Sequence, residues 1–145
     1  TSLRLVRNSP SKINKLIFLS NYNNIMNSKI ISYSAGLANI IGISIFSKLL
    51  TNNKLGELDP LFNYIGNILI MLWGFVYIFT KRTYKNPLMI IFFLEKMVYV
   101  FNFFYKKINL SGADLLTKLF LSIYGYIDLV FGISFIMMYY LNLDN

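Results

Sequence analysis

Four long apolar runs separated by short polar breaks dominate the chain. They cover 30–50, 60–80, 87–105 and 115–141, each close to the roughly 20 residues that a helix needs to cross the hydrocarbon layer of a membrane. The runs are too long and too continuously apolar for the alternation that marks strands. With connections this short, successive helices must run antiparallel. The pattern therefore predicts an all-α fold: an integral membrane four-helix bundle, up-down-up-down, in which residues 29–145 form the membrane domain.

Helix-start chemistry supports the same cuts. Each of the three prolines follows a residue that can cap a helix: Ser9-Pro10, Asp59-Pro60 and Asn86-Pro87. The capping oxygen satisfies an orphan backbone N–H, and proline fits the first helical position because its missing N–H is not needed there. Ser111-Gly112-Ala113-Asp114 reads as a capping box opening the fourth span. Residues 1–28 form a basic arm in which Ser9-Pro10 starts a short interfacial helix with Ile13, Leu16 and Ile17 on one side. The alternative for this arm is a targeting segment, since it lacks acids, and Met26 leaves an alternative start open.

Composition agrees with a membrane setting. Hydrophobic residues make up 56% of the 145 and charged residues 14%, against about 25% charged in soluble domains; mean hydropathy is +0.54. The net charge of +8 sits at the ends of apolar runs rather than among exposed aromatics, which excludes a nucleic-acid reading and leaves the lipid bilayer as the first partner. Arg4, Arg7, Lys12, Lys15 and Lys29 precede span one, and Lys81, Arg82 and Lys85 join spans two and three. Lys48, Lys54, Lys106, Lys107 and Lys118 fall on the other side, diluted by Glu57, Asp59 and Asp114. This bias puts both termini on the cytoplasmic side of a bacterial inner or thylakoid membrane, or its organellar equivalent.

Cys and His are absent, which removes thiolate and imidazole metal sites and His- or Cys-ligated haem. The expectation is no metal site, with a bound lipid or pigment left open as cofactor. No Gly-rich phosphate cradle and no nucleophile–base pair stands in the sequence, so no catalytic residues are assigned and an enzyme is the weakest reading.

Each span also carries polar or small residues at helical spacing, and lipid cannot satisfy such groups. Span one has Ser32, Ala35, Gly36, Asn39 and Gly42; span two Asn63, Asn67, Gly74 and Tyr77; span three Glu95, Tyr99 and Asn102; span four Ser122, Gly125, Asp128 and Gly132. Gly36, Gly42, Gly74, Gly125 and Gly132 are the candidates for close helix packing. Ser32 with Gly36, and Ala38 with Gly42, have the spacing of a small-residue seam, either within the bundle or between subunits. Asn39, Asn67, Glu95 and Asp128 lie near the middle of their spans, so with Lys96 they are expected to form one intramembrane polar layer. Tyr99 and Tyr124 stand four residues from Glu95 and Asp128 and are expected to support those acids, with Asn102 beside them. The layer holds one carboxyl in excess, which is expected to keep its proton. Trp73 and Tyr77 are expected at the membrane interface.

The strings Trp73-Gly74-x-x-Tyr77, Glu95-Lys96-x-x-Tyr99 and Tyr124-Gly125-x-x-Asp128-x-x-Phe131-Gly132 resemble a pattern in small, uncharacterised bacterial four-span membrane proteins, cyanobacterial ones included. The resemblance covers spans two to four, implies the four-span fold and brings no functional residues. Small multidrug pumps also have four spans and a membrane Glu, but in the first helix, where this chain has no acid. The leading functional expectation is a non-catalytic accessory subunit of a larger photosynthetic or respiratory complex, associating with other membrane subunits or with itself. The alternative is a stand-alone bundle that binds or moves a small lipophile, pigment or proton through the Glu95/Lys96/Asp128 layer.

Overall fold

Polar residues at the breaks decide where each helix begins and ends. The computed structural model describes residues 28–81 and 85–140; nearly all of the proposed arm, together with Arg82, lies outside the described residues. Among these residues every regular element is helical. α1 runs Ser28–Phe46, α2 Asn53–Leu58, α3 Tyr64–Phe79, α4 Pro87–Tyr105 and α5 Leu115–Tyr140. A 3₁₀ turn, Pro60–Phe62, joins α2 to α3. α1, α4 and α5 are long and apolar enough to cross a membrane.

The second apolar run departs most from its expected bounds. Asp59 and Pro60 do start a helical turn, and the Asp59 carboxylate accepts from the Leu61 N–H at 3.2 Å, but that turn is 3₁₀ and ends at Phe62. The chain breaks at Asn63, whose side chain accepts from the Gly66 N–H at 2.7 Å and starts α3 afresh. The corner is so tight that a Cβ on Gly66 would collide with the Leu61 carbonyl. α3 is left with 16 residues, about 24 Å of helix, short of the expected 60–80 span.

The first run also stops early. The Asn52 amide donates to the Phe46 carbonyl at 3.0 Å, and the Leu50 N–H donates to the Ser47 hydroxyl at 3.0 Å. Lys48, Leu49 and Leu50 take positive φ of 50°, 54° and 71°, three successive residues in a region that L side chains avoid. The capping box at 111–114 is corrected as well. Ser111 uses its N–H on the Asn109 side chain, and it is Asp114 that opens α5: its carbonyl accepts from the Lys118 N–H and its carboxylate from the Thr117 hydroxyl at 2.6 Å.

α4 and α5 lie antiparallel. Gly125 sits under Phe103, where an added Cβ would collide with the ring, and a Cβ on Gly132 would come within 2.6 Å of the Met97 methyl. α1 and α3 meet at a second glycine contact, where a Cβ on Gly36 would lie 2.6 Å from the Gly74 carbonyl and one on Gly74 2.7 Å from the Gly36 carbonyl. Removing both Cβ atoms lets the two backbones touch. Gly42 behaves differently: nothing lies within 4 Å of its would-be Cβ, so it is not a packing glycine.

Two apolar clusters fill the space between the helices. One gathers Ile43, Leu55, Phe62, Ile70, Phe120, Leu121 and Tyr124; the other gathers Ala35, Tyr77, Met89, Phe92, Phe135 and Met138. Along α1, α4 and α5 the clusters fall on opposite sides of Asn39, Lys96 and Asp128. Tyr77 and Trp73 belong to the interior rather than to an interface: Tyr77 is fully buried, and Trp73 packs edge-on against Phe92.

Candidate functional site

A buried ion cluster lies between the two apolar clusters. Lys96 is only 1% exposed. Its ammonium is 2.7 Å from Asp128 and 3.8 Å from Glu95, donates to the Asn39 carbonyl oxygen Oδ1 at 3.0 Å, and lies 5.3 Å from the centre of the Tyr77 ring. The Tyr77 hydroxyl donates to the other side of the cluster, at Glu95 Oε2. Glu95 Oε1 has no hydrogen-bond partner among the described residues.

The backbone of α1 is shaped to reach this cluster. Ala38–Gly42 is a π turn, a widened helical turn in which the usual ladder is interrupted. Asn39 sits in it and spans two helices, donating to the Ile70 carbonyl of α3 at 3.2 Å while accepting from Lys96 of α4. The Ser44 hydroxyl donates to the Ile40 carbonyl at 2.6 Å, a second donor on an acceptor that also takes the Ile43 N–H.

Of the expected polar layer, the structure joins Asn39, Glu95, Lys96 and Asp128 and leaves Asn67 out. Because α3 begins at Tyr64, Asn67 falls in its first turn, where its amide donates to the Phe62 carbonyl at 3.0 Å and its Oδ1 has no partner among the described residues. The two supporting tyrosines also find other roles. Tyr99 makes no hydrogen bond to any described residue; the tyrosine on Glu95 is Tyr77 instead. Tyr124 donates to Asp59 at 3.2 Å and accepts from Asn102 at 3.0 Å, rather than reaching Asp128. Ser122 is exposed and donates to the Lys118 carbonyl of its own helix.

Asp59 is the residue that sequence reasoning missed. It is fully buried and receives four donors: the Leu61 N–H, the Asn102 amide at 2.7 Å, the Tyr124 hydroxyl and the Lys106 ammonium at 3.3 Å. Its place before Pro60 had a ready explanation as a cap, and nothing in the spacing linked it to α4 or α5. An acid and a lysine at the same end of two adjacent spans, Asp59 and Lys106, was the one available signal.

A cavity of about 180 Å³ joins the two polar groups. Its polar wall is Asn39, Lys96, Tyr99, Tyr124 and Asp128, with Tyr124 touching Asp59. The rest of the wall is apolar, with Ile43, Phe46, Phe62, Ile70, Phe120 and Ile127, and the π turn contributes Ala38 and Gly42. No group of three or more His, Cys, Asp or Glu with metal-ligand spacing occurs among the described residues. No family model, characterised protein or solved structure matches this chain, so its site is understood from its own geometry alone.

Proposed function

We propose that the chain is a four-helix membrane bundle, with α1, α3, α4 and α5 crossing the bilayer and both termini on the cytoplasmic side, and that it holds a small lipophile in the cavity beside Lys96 and Asp128. The observation that carries this reading is a largely apolar cavity of about 180 Å³ with the Lys96–Asp128 ion pair on its wall. Ligand sites combine an apolar wall with a few placed polar groups, and a cavity of roughly 150 Å³ is enough for a benzene ring. Charge supports the orientation. Glu57, Asp59 and Asp114 pair with Lys54, Lys106 and Lys48, all on the side opposite Lys29, Lys81 and Lys85.

The test is to purify the protein in native-lipid nanodiscs and analyse the small molecules it releases, beside Gly42→Leu. A leucine at position 42 fills the cavity from a site where nothing stands in its way. The wild type is expected to release a compound that the variant lacks; identical extracts from two folded proteins would end this reading.

A second reading, an accessory subunit of a larger membrane assembly, is favoured by the large apolar side chains exposed along every long helix, such as Leu94, Phe101, Val130 and Ile133. These faces suit a neighbouring subunit as well as lipid. Against it, Gly36, Gly74, Gly125 and Gly132 are used inside the chain, so the small-residue surfaces that helices use to associate in lipid are already occupied. Copurification of a stoichiometric partner chain would favour this second reading.

A further inference from the structure

From the polar atoms on the cavity wall we infer that its ligand is a neutral compound of about one ring in size bearing a hydroxyl group, which donates to Asp128 and accepts from Tyr99. This rests on the reading of the cavity as a ligand site and specifies what enters it.

Most polar groups on the wall are already engaged. Lys96 holds Asn39 and Asp128 Oδ1, Asn39 also holds the Ile70 carbonyl, and Tyr124 is committed to Asp59 and Asn102. Two are left. The second Asp128 oxygen, Oδ2, accepts no hydrogen bond from a described residue, and the Tyr99 hydroxyl makes none, although both residues line the cavity. Tyr99 stands one helical turn after Lys96, on the same side of α4, and Lys96 is bound to Asp128, so the two residues line one space.

Their chemistry selects the ligand. Asp128 Oδ2 requires a donor, and Tyr99 can both donate and accept. A ligand ammonium would lie close to the Lys96 charge, and a ligand anion close to Asp128. A neutral hydroxyl meets neither repulsion and matches both groups. An analogue lacking it would leave the Asp128 oxygen and the Tyr99 hydroxyl on the cavity wall without partners, an arrangement that discriminates between otherwise similar ligands.

The experiment uses ¹⁹F NMR on the full chain in nanodiscs with two probes of equal shape, 4-fluorophenol and 4-fluorotoluene. Nanodiscs carrying Gly42→Leu supply the correction for partition into lipid. The phenol is expected to bind at least about tenfold more tightly than the toluene, and Tyr99→Phe is expected to erase most of that preference while leaving toluene binding unchanged. Tyr99→Phe removes one oxygen that bonds nothing in the protein, so folding is preserved. Equal affinities for the two probes, or a preference untouched by Tyr99→Phe, would overturn the hydroxyl inference and leave the cavity reading standing. If neither probe binds more to the wild type than to Gly42→Leu, both fall.

Discussion

Lys96 holds together three helices through one ammonium group, touching Asp128 on α5, Asn39 on α1 and Glu95 on its own α4. Removing a buried charge strands its partners, at a cost of about 3–5 kcal/mol. Lys96→Met is therefore expected to lose that much stability in SDS-titrated micelles, and pairing it with Asp128→Leu is expected to restore a large part. A double variant as unstable as the single would show that the ion pair is not what holds the helices. These residues were legible because an ionisable side chain inside a long apolar run has no other use. The partners of the tyrosines were not. Periodicity puts Tyr124 one turn from Asp128, but its side chain reaches across to Asp59 and Asn102, and which element lies opposite is a tertiary fact. Tyr77 shows the same limit: aromatic residues near a run's end suggest an interface, yet its ring packs between Phe92 and Phe135 and its hydroxyl serves Glu95.

At the scale of the elements, two glycines on α1 separate packing from space. Gly36→Ala drives a Cβ against the Gly74 carbonyl and Ile78; backbone cannot yield cheaply, so a loss of about 1–3 kcal/mol is expected. Gly42→Ala meets nothing and is expected to gain about 0.5–1 kcal/mol from helix propensity. Thermal unfolding of the two variants in one detergent checks both signs. The small-residue spacing in the sequence marked both positions alike, because it carries no information on which face a helix turns to its neighbour. The start of α4 was legible from Asn86-Pro87, whose side chain caps the helix as read. The start of α3 was not, since the Asn63 cap lies three residues into an unbroken apolar run. At the same end of the molecule, Asp114 ties α5 to the turn after α1. The Thr117 hydroxyl, and then Lys48 at 3.2 Å, hold its carboxyl below the ordinary range. Such a group adds stability above the unfolded aspartate value of about 4 and loses it as pH falls through the lower folded value. The stability difference between wild type and Asp114→Asn is thus expected to be full near neutrality and to vanish in strong acid; a difference that grows on acidification would contradict the pairing.

For the whole molecule, five described acids each have a lysine within 4 Å, and three of these pairs, at Lys48, Lys54 and Lys106, lie at the end opposite Lys81. The loops at that end therefore carry little net charge. The absence of Cys makes the orientation simple to test with single cysteines. In intact cells an impermeant maleimide is expected to label Ser111→Cys from outside and Lys81→Cys only after permeabilisation; the reverse pattern would invert the molecule. Four apolar runs and their alternation were visible in the sequence, but their unequal lengths were not, because hydropathy does not register where a 3₁₀ turn replaces a helical one. That inequality has a consequence for the surroundings. α5 has 26 residues and α3 only 16, about 39 Å against about 24 Å, while an average acyl layer is about 30 Å thick. In the proposed four-span arrangement the two leaflets would pinch beside α3, and the strain of that dimple would lessen as the host membrane thins. A bundle with one short wall would thus gather where the bilayer is thinnest, sorted by thickness alone.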